Sequence, residues 1–307
     1  MLQGLEGKVA LVTGAGQGLG RSHALELARQ GVRVVVNDLG RSLGGDVESS
    51  AADAVVEEIR ALGGEAVADY GDVADWDSAR AMVRRGIDEW GRFDILVNNA
   101  GFLRDRMLFN LSEDEFDSVV RVHLKGHFAT MRHAAEHWRT ESKAADGPVY
   151  ARIISTASEA MLFGSPGQPG YASAKAAVVQ LTLVAANSLA RLGVRANAIA
   201  PRARTRMTVD QPSIASSEIV DGFDPYGPEH VSPLVAYLAS PAADHVSGQL
   251  FIVVGRTISV VHGPFVEQKF EIADGWTPDS VDAVLTPFYA DRRVIQDGFT
   301  LADTPRS

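Results

Sequence analysis

Short apolar runs alternate with longer stretches of helical spacing along most of this chain. Val9–Thr13, Val32–Asn37, Ala66–Tyr70, Ile95–Val97, Arg152–Thr156, Val194–Ala200 and Leu250–Val254 are continuous apolar or β-branched runs. Between them Arg21–Gln30, Ala51–Leu62, Asp75–Trp90, Ser112–Trp138, Tyr171–Leu192 and Val231–Ala239 repeat apolar residues at helical intervals. Ser112 followed by Glu115 has the form of a capping box and marks one helix start. Strands that are apolar on both faces, separated by helices, predict a parallel sheet covered on each side. The fold class is therefore α/β, a doubly wound parallel sheet. Residues 1–255 read as one domain, with Leu250–Val254 as its last strand. Residues 256–307 break the rhythm and read as a C-terminal extension with a helical piece at Pro278–Tyr289, packing on the domain or on a neighbouring subunit. Gly40–Ser50 reads as a long surface loop.

Composition narrows the function classes. The 307 residues are 46% hydrophobic and 22% charged, which supports a large core and argues against disorder. The net charge is −10 and there is no basic run, so a nucleic-acid partner is not expected. No apolar stretch reaches membrane-spanning length, so no membrane association is expected. The chain has no cysteine, which excludes disulfides, thiolate zinc sites and cysteine nucleophiles. It also fits a reducing, cytoplasmic setting.

The candidate chemistry begins at residues 13–20, Thr-Gly-Ala-Gly-Gln-Gly-Leu-Gly, between the first strand and the first helix. Glycine permits a tight turn and close backbone approach, and the helix start offers free N–H groups to a pyrophosphate. The alternative is a plain tight turn, which the strand–loop–helix context makes the weaker reading. Together they suggest the Rossmann form of the doubly wound sheet. Asp38 follows the second strand, where a carboxylate can accept bonds from an adenosine ribose and repel a 2′-phosphate. It can equally cap the turn before Gly40, and Arg41 lies close enough to temper the repulsion. Tyr171 and Lys175 are four apart on a predicted helix, so both can reach one site, the ammonium lowering the phenol's pKa. Ser158 follows a strand upstream, and its hydroxyl can hold a substrate oxygen.

Taken together, these motifs resemble the short-chain dehydrogenase/reductase family. Gly14, Gln17, Gly18, Leu19 and Gly20 match its glycine loop, Asn99, Ala100 and Gly101 its Asn-Asn-Ala-Gly stretch, and Asp72 with Val73 its adenine contact. Ser158, Tyr171 and Lys175 match its catalytic set in order and spacing. The likeness covers about residues 5–255. It implies a bound dinucleotide, with Asp38 choosing NAD, Pro201 beside the nicotinamide and Lys175 on the nicotinamide ribose. Leu103–Arg106, Arg121–Gly126, Arg206–Thr208 and the extension led by Trp276 are similar to the (3R)-hydroxyacyl-CoA dehydrogenase part of type 2 multifunctional enzymes, also called 17β-hydroxysteroid dehydrogenase type 4, and to stand-alone actinobacterial relatives. That narrower likeness implies oxidation of a secondary alcohol on an acyl-CoA or steroid-like small molecule, in a homodimer or homotetramer. The alternatives are an NAD-linked dehydrogenase of free hydroxysteroids or cyclic alcohols, and a non-catalytic dinucleotide sensor. Two departures from the family are His123, where Asn is usual, and Arg202, where Gly usually follows the proline; the type 2 subgroup shares the histidine.

Other residues have plainer readings. His123 with His127, and His133 with His137, have metal-ligand spacing, but helix histidines held by hydrogen bonds are the simpler expectation, and no metal is expected. Arg202, Arg204 and Arg206 read either as partners for CoA phosphates or as a solvated loop. The segment 208–227 reads as a mobile lid whose Ile214, Ile219, Val220 and Phe223 line a pocket for an apolar body.

Overall fold

The computed structural model describes residues 2–40, 51–209, 212–263, 266–273 and 275–291. Eight strands form one sheet in the order β3-β2-β1-β4-β5-β6-β7-β8. They are β1 Val9–Thr13, β2 Arg33–Asn37, β3 Ala66–Asp69, β4 Ile95–Asn98, β5 Ala151–Thr156, β6 Val194–Pro201, β7 Leu250–Val254 and β8 Thr257–Val261. The helices are α1 Gly18–Arg29, α2 Ala51–Ala61, α3 Trp76–Trp90, α4 Glu113–Val120, α5 Gly126–Ala144, α6 Ala160–Phe163, α7 Pro169–Ser188, α8 Pro212–Ala215, α9 Ser232–Ala239 and α10 Pro278–Tyr289.

Strands β1 to β7 are parallel, and each was expected from its apolar run. Every residue of β1, β4 and β5 is buried, which is why those strands carry no polar alternation. One core packs α1, α2 and α9 against the sheet, and a second packs α3, α5 and α7 on the other face. The doubly wound reading is correct.

Three sequence expectations need correction. The sheet does not end at Val254: after the turn at Gly255, β8 pairs antiparallel with β7. Ile258 and Val260 stand exposed on this edge strand, and its single hairpin partner gave no βα rhythm to read. The predicted helix Ser112–Trp138 does start at a Ser112–Glu115 capping box, but a π-helical turn over Arg121–Lys125 interrupts it and it runs on to Ala144. Tyr171 does not open its helix; Pro169 occupies the first turn, and a separate 3-10 turn follows at Ala190–Leu192. Most of the predicted Gly40–Ser50 loop, including Arg41, lies outside the described residues. Helix α10 forms where expected, with none of its residues buried.

The strand order reverses between β1 and β4, so the chain leaves these neighbours in opposite directions across the sheet. A crevice opens at their carboxyl ends, which is where a doubly wound sheet binds its ligand.

Candidate active site

A cleft of about 470 Å³ occupies that crevice. Gly14, Gln17, Gly18 and Leu19 line it from the first turn, Asp38 from the end of β2, and Asp72 and Val73 from the loop after β3. Asn99, Ala100 and Gly101 follow β4, Tyr171 and Lys175 come from α7, and Pro201 closes β6. Gly20 and Ser158 do not line the cleft. Gly20 instead makes the turn possible, since a Cβ there would lie 2.1 Å from the Gly14 carbonyl oxygen and 2.6 Å from Asn99 Nδ2.

One wall is built from backbone. Gly14 has φ of +62°, and a Cβ on it would sit 2.8 Å from Ala100 Cα. Asn99 Nδ2 donates to the carbonyls of Thr13 and Gly14 at 3.0 and 3.1 Å. Thr13 Oγ1 accepts from the amides of Asn99 and Ala100 at 3.0 and 3.1 Å. The glycine loop is therefore sewn to β4. Its helix, α1, starts at Gln17 without a side-chain cap and without an acidic residue in its first turn. The free N–H groups and positive dipole end face the cleft, as a pyrophosphate needs. Asp38 caps the turn before Gly40, Oδ1 accepting from Gly40 N at 2.9 Å, and its Oδ2 accepts from Gly16 N of the glycine loop at 2.8 Å. Asp72 accepts from Ala74 N at 2.8 Å and pairs with Arg121 at 2.7 Å. The glycines, the uncapped helix start and the carboxylate after β2 fit a dinucleotide.

The facing wall carries titratable groups. Lys175 is buried, and its Nζ donates to the Thr156 carbonyl at 2.5 Å and lies 5.6 Å from the Tyr171 ring centre. Burial pulls its pKa down to about 7. Burial pushes the Tyr171 phenol up to about 12, against a hydrogen bond from Ser158 that lowers it. Burial outweighs the other influences on the phenol, and Lys175 is not among them. Ser158 Oγ also accepts from Ala160 N at 3.2 Å.

His123 belongs to this wall as well. It is buried in the π-helical turn, with Nε2 2.8 Å from the Phe102 carbonyl and its ring edge-on to Tyr171 at 5.2 Å. Gly101 makes room for it, since a Cβ there would fall 2.2 Å from His123 Cε1. Burial next to Lys175 keeps the imidazole well below its usual pKa, hence neutral.

The remaining candidates take varied places. His127 is buried, and His133 packs on Trp76 with centroids 4.5 Å apart; among the described residues no cluster of His, Asp and Glu could hold a metal. Arg202 and Arg204 are engaged with carboxylates, Glu159 and Asp224, Arg202 keeping about half of its side chain in solvent. Arg206 lines the cleft. Ile214, Ile219, Val220 and Phe223 do not line it: Ile214 is buried, Ile219 and Val220 are exposed, and Phe223 is covered by Arg256 and His230. Phe102, Arg104, Thr156 and Met207 do line it, and none was predicted as a site residue. Position next to a recognised motif was the available signal for Phe102 and Thr156.

The family model for short chain dehydrogenases matches residues 8–213, and the chain belongs to that family of oxidoreductases. It is 48% identical over 295 residues to hydroxyacyl-CoA dehydrogenase ChsB1 of Mycobacterium tuberculosis, covering 94% of this chain and 90% of that protein. It is 39% identical over 249 residues to peroxisomal multifunctional enzyme type 2 of Mus musculus, covering 81% of this chain but 32% of that longer protein. A crystal structure of a short chain dehydrogenase from Mycobacterium avium superposes with a TM-score of 0.83 at 47% identity, over 94% of this chain and 96% of that one.

Proposed function

We propose that this dehydrogenase oxidises the secondary alcohol of a 3-hydroxyacyl-CoA with NAD. The observation that carries the chemistry is the convergence of Ser158, Tyr171 and Lys175 beside a glycine-built cleft at the switch point of the sheet. Asp38 supports NAD over NADP, because its carboxylate stands at the end of β2 on the cleft wall. The likeness to ChsB1, which covers nearly the whole chain, supports a hydroxyacyl-CoA as substrate.

In this reading the glycine loop and Asp38 would hold NAD, which would supply the hydride acceptor. Tyr171 Oη takes the alcohol proton, and Ser158 Oγ donates a hydrogen bond to the oxygen as its charge develops. Lys175 would hold the nicotinamide ribose, and the Thr156 carbonyl fixes the direction of its side chain. His123 presses edge-on against the Tyr171 ring and limits its swing. The raised phenol pKa means that the oxidative direction gains rate with rising pH, while the phenol stays protonated and ready to donate in the reductive direction.

The test is NADH formation by the purified protein, with NAD and NADP each offered against (3R)- and (3S)-hydroxyacyl-CoA esters and free hydroxysteroids. Turnover of a CoA ester with NAD supports the reading. Turnover of free steroids alone moves the protein to the cyclic-alcohol alternative.

A further inference from the structure

The last backbone bond between β5 and β6 runs from Ala157 N to the Ile199 carbonyl, and β6 continues beside β7 to Pro201. Directly after Ser158 and Pro201 come two charged residues, Glu159 and Arg202, and these two meet. The guanidinium grips the carboxylate with two parallel bonds, Nε to Oε2 and Nη2 to Oε1, the latter 2.8 Å. The Glu159 side chain is only 10% exposed, whereas that of Arg202 is 49% exposed. The far end of the strut is anchored too, since Arg202 N donates to the Val253 carbonyl at 3.0 Å.

A two-pronged guanidinium–carboxylate pair fixes distance and angle together, which a single bond does not. We propose that Glu159 and Arg202 are positioning residues: their ion pair clips the Ser158 loop to the end of β6 and so sets where the Ser158 hydroxyl stands relative to Tyr171 and Pro201. The inference rests on the dehydrogenase reading above. It also gives a reason for an arginine where the family usually has glycine: the tie needs a guanidinium to reach Glu159.

The exposures make the two halves unequal. Loss of Arg202 strands a buried carboxylate beside Ser158, while loss of Glu159 leaves an arginine already half in water. The expected order is therefore Arg202→Ala worse than Glu159→Ala, with the double variant no worse than Arg202→Ala alone. Displacement of a reacting group by an ångström costs up to about 10²-fold, so Arg202→Ala should lower kcat by about 10-fold or more. NADH affinity should stay at the parental value, because Arg202 and Glu159 do not line the cleft. Arg202→Lys, which keeps charge but not the fork, should recover part of the loss.

The experiment measures kcat and NADH affinity for these four variants, with amide hydrogen exchange over residues 157–163 and 201–205 in the cofactor-free protein. Faster exchange in both segments, with kcat reduced and NADH affinity intact, supports the clip. Unchanged exchange and kcat overturn it. So does a loss of kcat that only follows a loss of NADH affinity and Tm. If the parent oxidises no alcohol, the functional reading fails separately, and the exchange data still decide whether the two segments are tied.

Discussion

The two walls of the cleft are made of different materials. The glycine wall is built mainly of backbone: Thr13 and Asn99 sew the loop to β4, Asp38 accepts from Gly16 N, and Gly14 and Gly20 leave no room for a Cβ. The opposite wall is held by charge and burial: Lys175 on a carbonyl, Glu159 with Arg202, and Arg204 with Asp224. The first wall presents a preformed cradle. In the second, burial favours the neutral forms of its titratable groups, phenol up and ammonium down.

The sharpest break between the walls is Tyr171→Phe. Removing the hydroxyl should cut turnover by about 10³-fold, within the range of general acid–base catalysis. NADH affinity, measured by fluorescence titration, should not change, because the cradle lies opposite. Asp38→Ala should do the reverse, leaving turnover with NAD largely intact. It should narrow the preference for NAD over NADP by about 10²-fold, roughly 2.7 kcal/mol, in the ratio of kcat/KM values.

Gly101→Ala tests the seam where the walls touch, since the added methyl meets the His123 ring. Overpacking of this kind costs about 1–3 kcal/mol, which thermal unfolding would read as a lower Tm. The smallest expected effect concerns pH. In the unfolded chain Lys175 holds its proton up to the ordinary lysine value of 10.5, whereas in the folded one it begins to lose it near 7. The unfolded state thus binds more protons between these values, and this residue makes stability rise with pH across that window. Lys175→Met should remove that contribution, raising Tm at pH 6 more than at pH 9.

The same contrast explains what was legible in the sequence. The backbone wall announces itself as glycines at fixed spacing after an apolar strand, because close approach forbids any other residue there. Tyr171 and Lys175 were legible because helical geometry places residues four apart on one face. The charge-built wall was only partly legible. Glu159 finds Arg202 because β5 and β6 are neighbours in the sheet, and Arg204 finds Asp224 twenty residues on within the segment between β6 and β7. The arginines therefore looked like loose cations near a cleft. The π-helical turn at Arg121–Lys125 left no mark in the helical spacing, and β8, exposed along most of its length, left none in the strand rhythm.

The most direct measurement is NADH formation from NAD and a 3-hydroxyacyl-CoA, run in parallel on the parent and Tyr171→Phe proteins. The account predicts turnover by the parent, rising with pH, and its near-complete loss in the variant while NADH still binds. Equal turnover by both proteins would contradict the assignment of Tyr171, and silence of the parent on every CoA ester would contradict the proposed substrate.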